Sequence, residues 1–409
     1  MNFIYHENNK LPRLAWCAVF QVMDKNIHVY HGSGVETQDR FFVEGAWNGK
    51  FEKGEFVQSY FFMGSGGKLP DAKADEQQVT FSTPTHSLER LFTISIMDKL
   101  YVSNSLPFIL FMSDLRLDPE YLDYERDFNS IMLGTDKYKK FFPLEGDNAV
   151  QLHYFCNIVI NAELQLTEEH KNSPGPFRDY DHYYKLLIQV IDGLIKNAQN
   201  QNRRYQYRTS VATISKGYDS AACAAIARDF GCDTAITFDM PQKYVADCGD
   251  EIAQRLSYKN IIKKDADEFL SNTSLVEAEF LSSGELGSDI VFYAFEEEFK
   301  GKMVFKGSLG DTFWEMNRPD VNRVIRYLDG VIAETCYIEF RLRTGYISLL
   351  PASLGATEWP SIHKISTSAE MQPYSIGGSY DRPIPRRILE SRGVDRDMFG
   401  KGKKGVGFN

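Results

Sequence analysis

The chain has 409 residues, of which 43% are hydrophobic and 13% aromatic, enough to bury a large core in two or three domains. Its formal charge of -10 argues against a general nucleic-acid or membrane-surface role, so an anionic ligand must be met by a local basic patch. The longest apolar runs, such as Leu106 to Met112, fall far short of the ~20 residues that span a bilayer. The opening segment has neither the basic start nor the long apolar stretch of a signal peptide. Six scattered cysteines form no CxxC pair, which predicts reduced thiols in a cytoplasmic protein. The eight histidines show no HxxxH or HExxH spacing, so the sequence suggests no zinc or histidine metal site.

Residues 1 to about 165 read as mostly β. Runs such as Trp16–Met23, Ile27–Tyr30 and Leu91–Ile96 are separated by glycine and asparagine turns. Glu44 to Phe56 reads as tight turns between strands. Gly64-Ser-Gly-Gly-Lys68 also reads as a turn, because it lacks the GxxxxGK[ST] spacing of a phosphate loop. Charge, proline and glycine make 168–179 a linker between a domain at 1–167 and one at 180–409.

Tyr183, Tyr184, Leu187, Val190, Ile191 and Leu194 then recur at helical spacing. Strand and helix alternate after that, which predicts a parallel α/β sheet. The predicted strands are Thr209–Ile214, Thr234–Phe238 and Met303–Lys306, and the predicted helices Ser220–Asp229 and Cys248–Leu256.

The most informative stretch is Ile214-Ser-Lys-Gly-Tyr-Asp-Ser220, where a β-branched strand enters a loop and an alanine-rich helix leaves it. Such a loop aims backbone N–H groups and a helix N-terminus at one point, which suits an anion. Ser215 and Ser220 add hydroxyls, Gly217 permits close approach, and Lys216 adds positive charge. Asp219 would repel bare phosphate, but it makes sense as a ligand of Mg2+ on the phosphates. A second segment, Lys306-Gly-Ser-Leu-Gly-Asp-Thr-Phe-Trp314, follows the Met303 strand and offers Asp311 as another carboxylate. The tail from Asp381 to Lys404 carries eight Lys/Arg against four Asp/Glu, an unusual concentration in an acidic chain.

The SxGxDS pattern at Ser215–Ser220 resembles the pyrophosphate loop of N-type ATP pyrophosphatases. Lys306–Trp314 is similar to the SGxGxDE segment of asparagine synthetases, and the tail looks like the lysine-containing tail of asparagine and β-lactam synthetases. Thr93–Phe108 looks like a strand pair of their glutaminase domain.

The resemblance implies an α/β C-terminal domain like the adenine nucleotide alpha-hydrolases, and an α+β, Ntn-like layered N-terminal domain. It also implies ATP and Mg2+ as cofactors. Ile214 and Met240 would flank adenine, Lys306 and Gly307 would approach the nucleotide, and Ser215, Gly217, Asp219 and Ser220 would hold pyrophosphate. Asp219 and Asp311 would hold the metal, while Lys403 or Lys404, with Lys216, would act in catalysis. The implied reaction is adenylation of a small-molecule or peptide carboxylate, followed by acyl transfer to nitrogen. No nucleic-acid or membrane partner is expected, and a homo-oligomer is compatible with the sequence.

The chain departs from the family at three points. Asn2 stands where the glutaminase needs cysteine, and the first cysteine, Cys17, lies in an apolar strand, so glutaminase activity is expected to be lost. Ser308 replaces the family glutamate of the acyl-transfer half, with Glu279 and Glu285 as alternative bases. Lys216 replaces a loop glycine. These changes keep open a different transfer step, nitrile formation or thiolation, and a non-catalytic nucleotide-binding protein.

Overall fold

The computed structural model describes residues 1–22, 24–70, 78–239, 247–271, 290–326 and 337–400. Met240, Glu279, Glu285, Lys403 and Lys404 lie outside the described residues.

The chain begins with β1 (Asn2–Glu7), β2 (Trp16–Gln21), β3 (Asn26–His31), β4 (Glu36–Thr37), β5 (Phe41–Trp47) and β6 (Phe62–Lys68). There follow β7 (Gln78–Ser82), β8 (Leu91–Ile96), β9 (Lys99–Ser103), α1 (Leu106–Ser113) and α2 (Tyr124–Asn129). The first half closes with β10 (Phe141–Leu144), β11 (Asn148–His153), β12 (Cys156–Asn161) and β13 (Leu166–His170). These strands form a seven-stranded sheet ordered β1-β3-β2-β9-β8-β11-β10 and a six-stranded sheet ordered β13-β12-β7-β6-β5-β4.

Period-two alternation stacks the two sheets face to face. Trp16, Ala18 and Phe20 of β2 share one buried core with Phe42, Phe81 and Ile158 of the other sheet. The intervening Cys17 instead joins Phe92, Ile94 and Tyr101 beneath Leu106 and Ile109 of α1. Ser105 caps α1 by accepting from Phe108 N–H at 3.3 Å.

Two sequence expectations are corrected here. Gly64–Lys68 belongs to strand β6, not to a turn. Its glycines are there for packing: a Cβ on Gly66 would sit 2.3 Å from the Phe42 carbonyl oxygen, and one on Gly67 would press into the Phe42 and Phe81 rings. The linker also starts later than expected, because β13 runs through His170.

The second half contains α3 (Tyr180–Ala198), β14 (Ser210–Thr213), α4 (Tyr218–Asp229), β15 (Thr234–Asp239), α5 (Asp250–Arg255), β16 (Asn260–Asp265), β17 (Met303–Phe305) and β18 (Ile347–Leu349). The helical spacing read from the sequence is the buried face of α3, which Asp179 caps by accepting from His182 N–H at 2.8 Å. That helix lies against β5 and joins the two halves in one core. Buried ion pairs add to the join: Arg341 holds Glu44 at 2.8 Å and Glu89 at 2.7 Å.

The five strands β16-β15-β14-β17-β18 form a parallel sheet. From β14 the chain passes to β15 on one side, and later returns to β17 on the other. The crevice between the carboxyl ends of β14 and β17 is therefore the topological switch point, where open α/β sheets bind ligands. Helix α4 is buried from Ala221 to Ala227. Its small residues let it lie between this sheet and the helix Pro383–Glu390 of the tail. Among the described residues, no helix is long and apolar enough to cross a membrane.

Candidate active site

Two loops meet at the switch point, Ser215–Gly217 after β14 and Lys306–Leu309 after β17. The first folds on its own hydroxyls. Ser215 and Ser220 share a hydrogen bond of 2.8 Å, Ser215 N–H donates to Ser220 Oγ at 3.1 Å, and Gly217 N–H donates to Ser215 Oγ at 3.1 Å. Asp247 accepts from Lys216 N–H at 3.1 Å and so ties the loop to the segment before α5. Farther on, Gly400 N–H donates to the Lys216 carbonyl at 2.9 Å, which brings the tail back onto the loop.

The second loop lies against the first because it carries glycine at the contacts. A Cβ on Gly307 would stand 2.3 Å from Ser220 N, and one on Gly310 would stand 2.5 Å from Asp219 Cγ. Leu309 between them takes the left-handed region at φ 67, a conformation that costs energy for a residue with a Cβ. Asp219 and Asp311 are thereby placed on facing segments.

Asp219 is half-buried, and its two oxygens differ. Oδ2 pairs with Arg382, whose Nε also reaches Glu315 at 3.2 Å. Oδ1 is buried with no hydrogen-bond partner, as is Ser308 Oγ on the facing loop. Burial is the main force on Asp219 and pushes its carboxyl up; Arg382 opposes the shift, Asp311 adds to it, and the result is about 6. Asp311 is exposed on the wall of a cavity of about 850 Å³ that Glu315, Arg318, Tyr380, Arg382 and Arg396 also line.

An orphaned buried carboxylate oxygen with a second carboxylate beside it fits the oxygen donors that Mg2+ requires. Asp219 and Asp311 are the residues that would hold that ion.

The structure does not bring all the expected residues to this point. Lys306 follows β17, and period-two alternation sends it to the side of Val304, away from α4. Its ammonium is buried 4.6 Å from the Tyr337 ring centre and 3.3 Å from Tyr346 Oη. Lys216 directs its ammonium to Glu251 at 3.5 Å, so its part in the loop is played by its backbone. The Ile214 side chain is buried in the core, and its N–H donates to the Ile236 carbonyl at 3.0 Å. Cys223 on α4 is wholly buried and burial pushes its thiol well up, which makes it a poor nucleophile for thiolation, whereas Cys248, joined to Ser215 of the loop by a β-bridge, is only part-buried.

Sequence reasoning missed Arg382, Glu315 and Asp247. Glu315 did carry a signal, since it follows Asp311 by about one helical turn. The basic character of the tail was legible, but it is Arg382 that meets Asp219.

The raised carboxyl of Asp219 has a signed consequence. Its folded value of about 6 lies above the usual 3.8, so the native state binds the extra proton between them. Stability from this group is fully present below about pH 4 and is lost as pH rises through about 6. Melting curves of wild type and Asp219→Asn are therefore expected to shift in the variant's favour from pH 4 to 6.5 and then run parallel, by on the order of a few kcal/mol. A difference that does not change with pH would contradict the burial of this carboxylate.

No family model matches the chain, and no curated protein matches it. A solved structure with some likeness is the glutamine-dependent NAD+ synthetase from Acinetobacter baumannii in complex with adenosine diphosphate. It shows 12% identity and a TM-score of 0.23, over 63% of this chain and 45% of that one. The chain thus spans less than half the length of that relative, and a superposition of this quality carries no argument about fold or activity.

Proposed function

We propose that the protein is an ATP-dependent, AMP-forming ligase that joins a carboxylate to a nitrogen nucleophile and does not hydrolyse glutamine. The observation that carries this reading is the meeting of two loops at the switch point: Ser215–Ser220 with its linked hydroxyls, and the Gly307–Asp311 segment that sets Asp311 opposite Asp219. A bound Mg2+ would supply charge neutralisation on the departing pyrophosphate.

The chain's own residues have separable tasks. Ser215 and Ser220 offer hydroxyls and the first turn of α4 offers backbone N–H groups to phosphate oxygens, while Gly217, its N–H held by Ser215 Oγ, lets the ligand approach closely. Arg382 positions Asp219 by holding Oδ2 and leaving Oδ1 available. The cavity beside Asp311, with Arg318, Arg382 and Arg396 on its wall, accommodates the carboxylate substrate. In the first half-reaction a carboxylate oxygen attacks the α-phosphate, forming an acyl-adenylate and releasing pyrophosphate. In the second, nitrogen attacks the acyl carbon, and AMP leaves. Ser308, in the place of the family glutamate, leaves the second half without that carboxylate. A different transfer step is therefore the competing reading.

Pyrophosphate–ATP isotope exchange across a panel of amino, keto and peptide acids tests the first half without needing the nucleophile. Exchange that depends on one class of carboxylate, and that is lost in the Ser215→Ala, Ser220→Ala double variant, supports adenylation. Nucleotide binding without exchange for any acid would favour a non-catalytic protein. Added glutamine is expected to yield no glutamate, because Cys17 is fully buried in β2 and Cys156 is buried at the start of β12, which leaves the first half no accessible thiol nucleophile among its described residues.

A further inference from the structure

Away from the nucleotide crevice, one end of the β-sandwich holds a group of side chains that the proposed reaction does not use. The chain leaves β11 at His153, crosses from one sheet to the other in two residues and enters β12 at Cys156. The crossing is tight, and Phe155 takes the left-handed region at φ 55 to make it. On the neighbouring strand, Glu168 of β13 pairs with Ile158, so alternation puts its side chain on the same face as Cys156. Ligand atoms of His153, Cys156 and Glu168 all lie within 4.8 Å of one another.

We propose that His153, Cys156 and Glu168 form a binding site for a divalent transition metal of the zinc type. One imidazole nitrogen, one thiolate sulfur and one carboxylate oxygen make a donor set that suits such an ion and leaves a fourth position for water.

The hydrogen bonding fits an exchange of a proton for a metal. His153 Nδ1 and Glu168 Oε1 share one hydrogen bond at 2.7 Å. Around a tetrahedral ion the same two atoms would stand roughly 3.4 Å apart, so the ion takes the proton's place with a small opening. Glu168 is on an edge strand and partly exposed, which allows that movement and provides an entry path. The other imidazole nitrogen lies 2.9 Å from Thr93 Oγ1. A hydroxyl both donates and accepts, so Thr93 supports either tautomer and orients the ring once Nδ1 is a ligand. Burial holds the imidazole toward its neutral form, the form that binds metal.

Two cations face the group. Lys140 takes the other oxygen, Oε2, and leaves Oε1 to the ion. Lys171 bonds to Ser82 Oγ, and burial pushes its ammonium down to about 7. The thiolate is the form of Cys156 that binds metal, so its proton leaves as the sulfur–metal bond forms. The proton balance is one released per ion bound, from Cys156; the His153 proton moves from Nδ1 to Nε2. Nothing in the linear pattern points to this site, because only His153 and Cys156 are near neighbours and the third donor comes from another strand.

The test uses the full chain, stripped with chelator and titrated with Co2+ as the probe. One equivalent is expected to give a sulfur-to-cobalt charge-transfer band that Zn2+ removes, that disappears in Cys156→Ser and that persists in the Asp219→Asn, Asp311→Asn double variant. Glu168→Gln is expected to weaken binding at least tenfold, and it decides the matter should Cys156→Ser fail to fold. Absence of the band, its survival in Cys156→Ser, or unchanged affinity in Glu168→Gln overturns the proposal and leaves a hydrogen-bonded sandwich edge only.

Discussion

Asp219→Asn and Asp311→Asn are each expected to lower carboxylate-dependent pyrophosphate–ATP exchange by about a thousandfold or more. The physical ground is charge: pyrophosphate leaves with several negative charges, and under the proposed reaction a cation held by the two carboxylates would offset them. A metal in that role contributes several kcal/mol of transition-state stabilisation, and each ~1.4 kcal/mol is tenfold in rate. Asparagine matches aspartate in size, so packing changes little, and in the Asp219 variant Arg382 keeps its contact with Glu315 at 3.2 Å. Asp311 is exposed, which makes its substitution nearly neutral for stability. Were both residues only helix-start carboxylates, asparagine would serve as well and exchange would stay near wild type. Exchange surviving in either variant removes that aspartate from the mechanism.

Gly307→Ala is expected to cost more than its single methyl suggests, with exchange reduced about a hundredfold. The new Cβ would meet backbone atoms, Ser220 N at 2.3 Å, Ser220 Cα at 2.6 Å and the Asp219 carbonyl carbon at 2.7 Å. Backbone cannot rotate aside as a side chain does, so one loop must move away from the other. Overpacking of this kind costs about 1–3 kcal/mol of stability. The loss of function is of similar size in free energy, because a displacement of about 1 Å between reacting groups is enough to cost about a hundredfold.

Gly310→Ala is the informative companion. Its Cβ would meet the Asp219 side chain, 2.5 Å from Cβ and Cγ and 2.6 Å from Oδ1, and that carboxylate can turn. A smaller drop in melting temperature with a comparable loss of exchange is therefore expected. Exchange within threefold of wild type in Gly307→Ala would show that the contact between the two loops does not matter to the chemistry.

The sequence by itself determined the features that depend on near neighbours. Strands 210–213, 234–239 and 303–305, the helix over 180–198, and the loop from Ser215 to Ser220 all follow from periodicity, β-branching and turn chemistry within a few residues. Long-range packing decided the rest. Whether Gly64–Lys68 turns or extends depends on Phe42 and Phe81 lying against it, and Lys306 is turned from the crevice because α4 packs on the other face of β17. Arg382 meets Asp219 across 163 positions only because the tail helix packs on α4. His153, Cys156 and Glu168 converge because two sheets stack and the chain crosses between them. Local patterns fix which residues share a face, whereas the partner opposite that face is chosen by burial across the whole chain, which no short window contains.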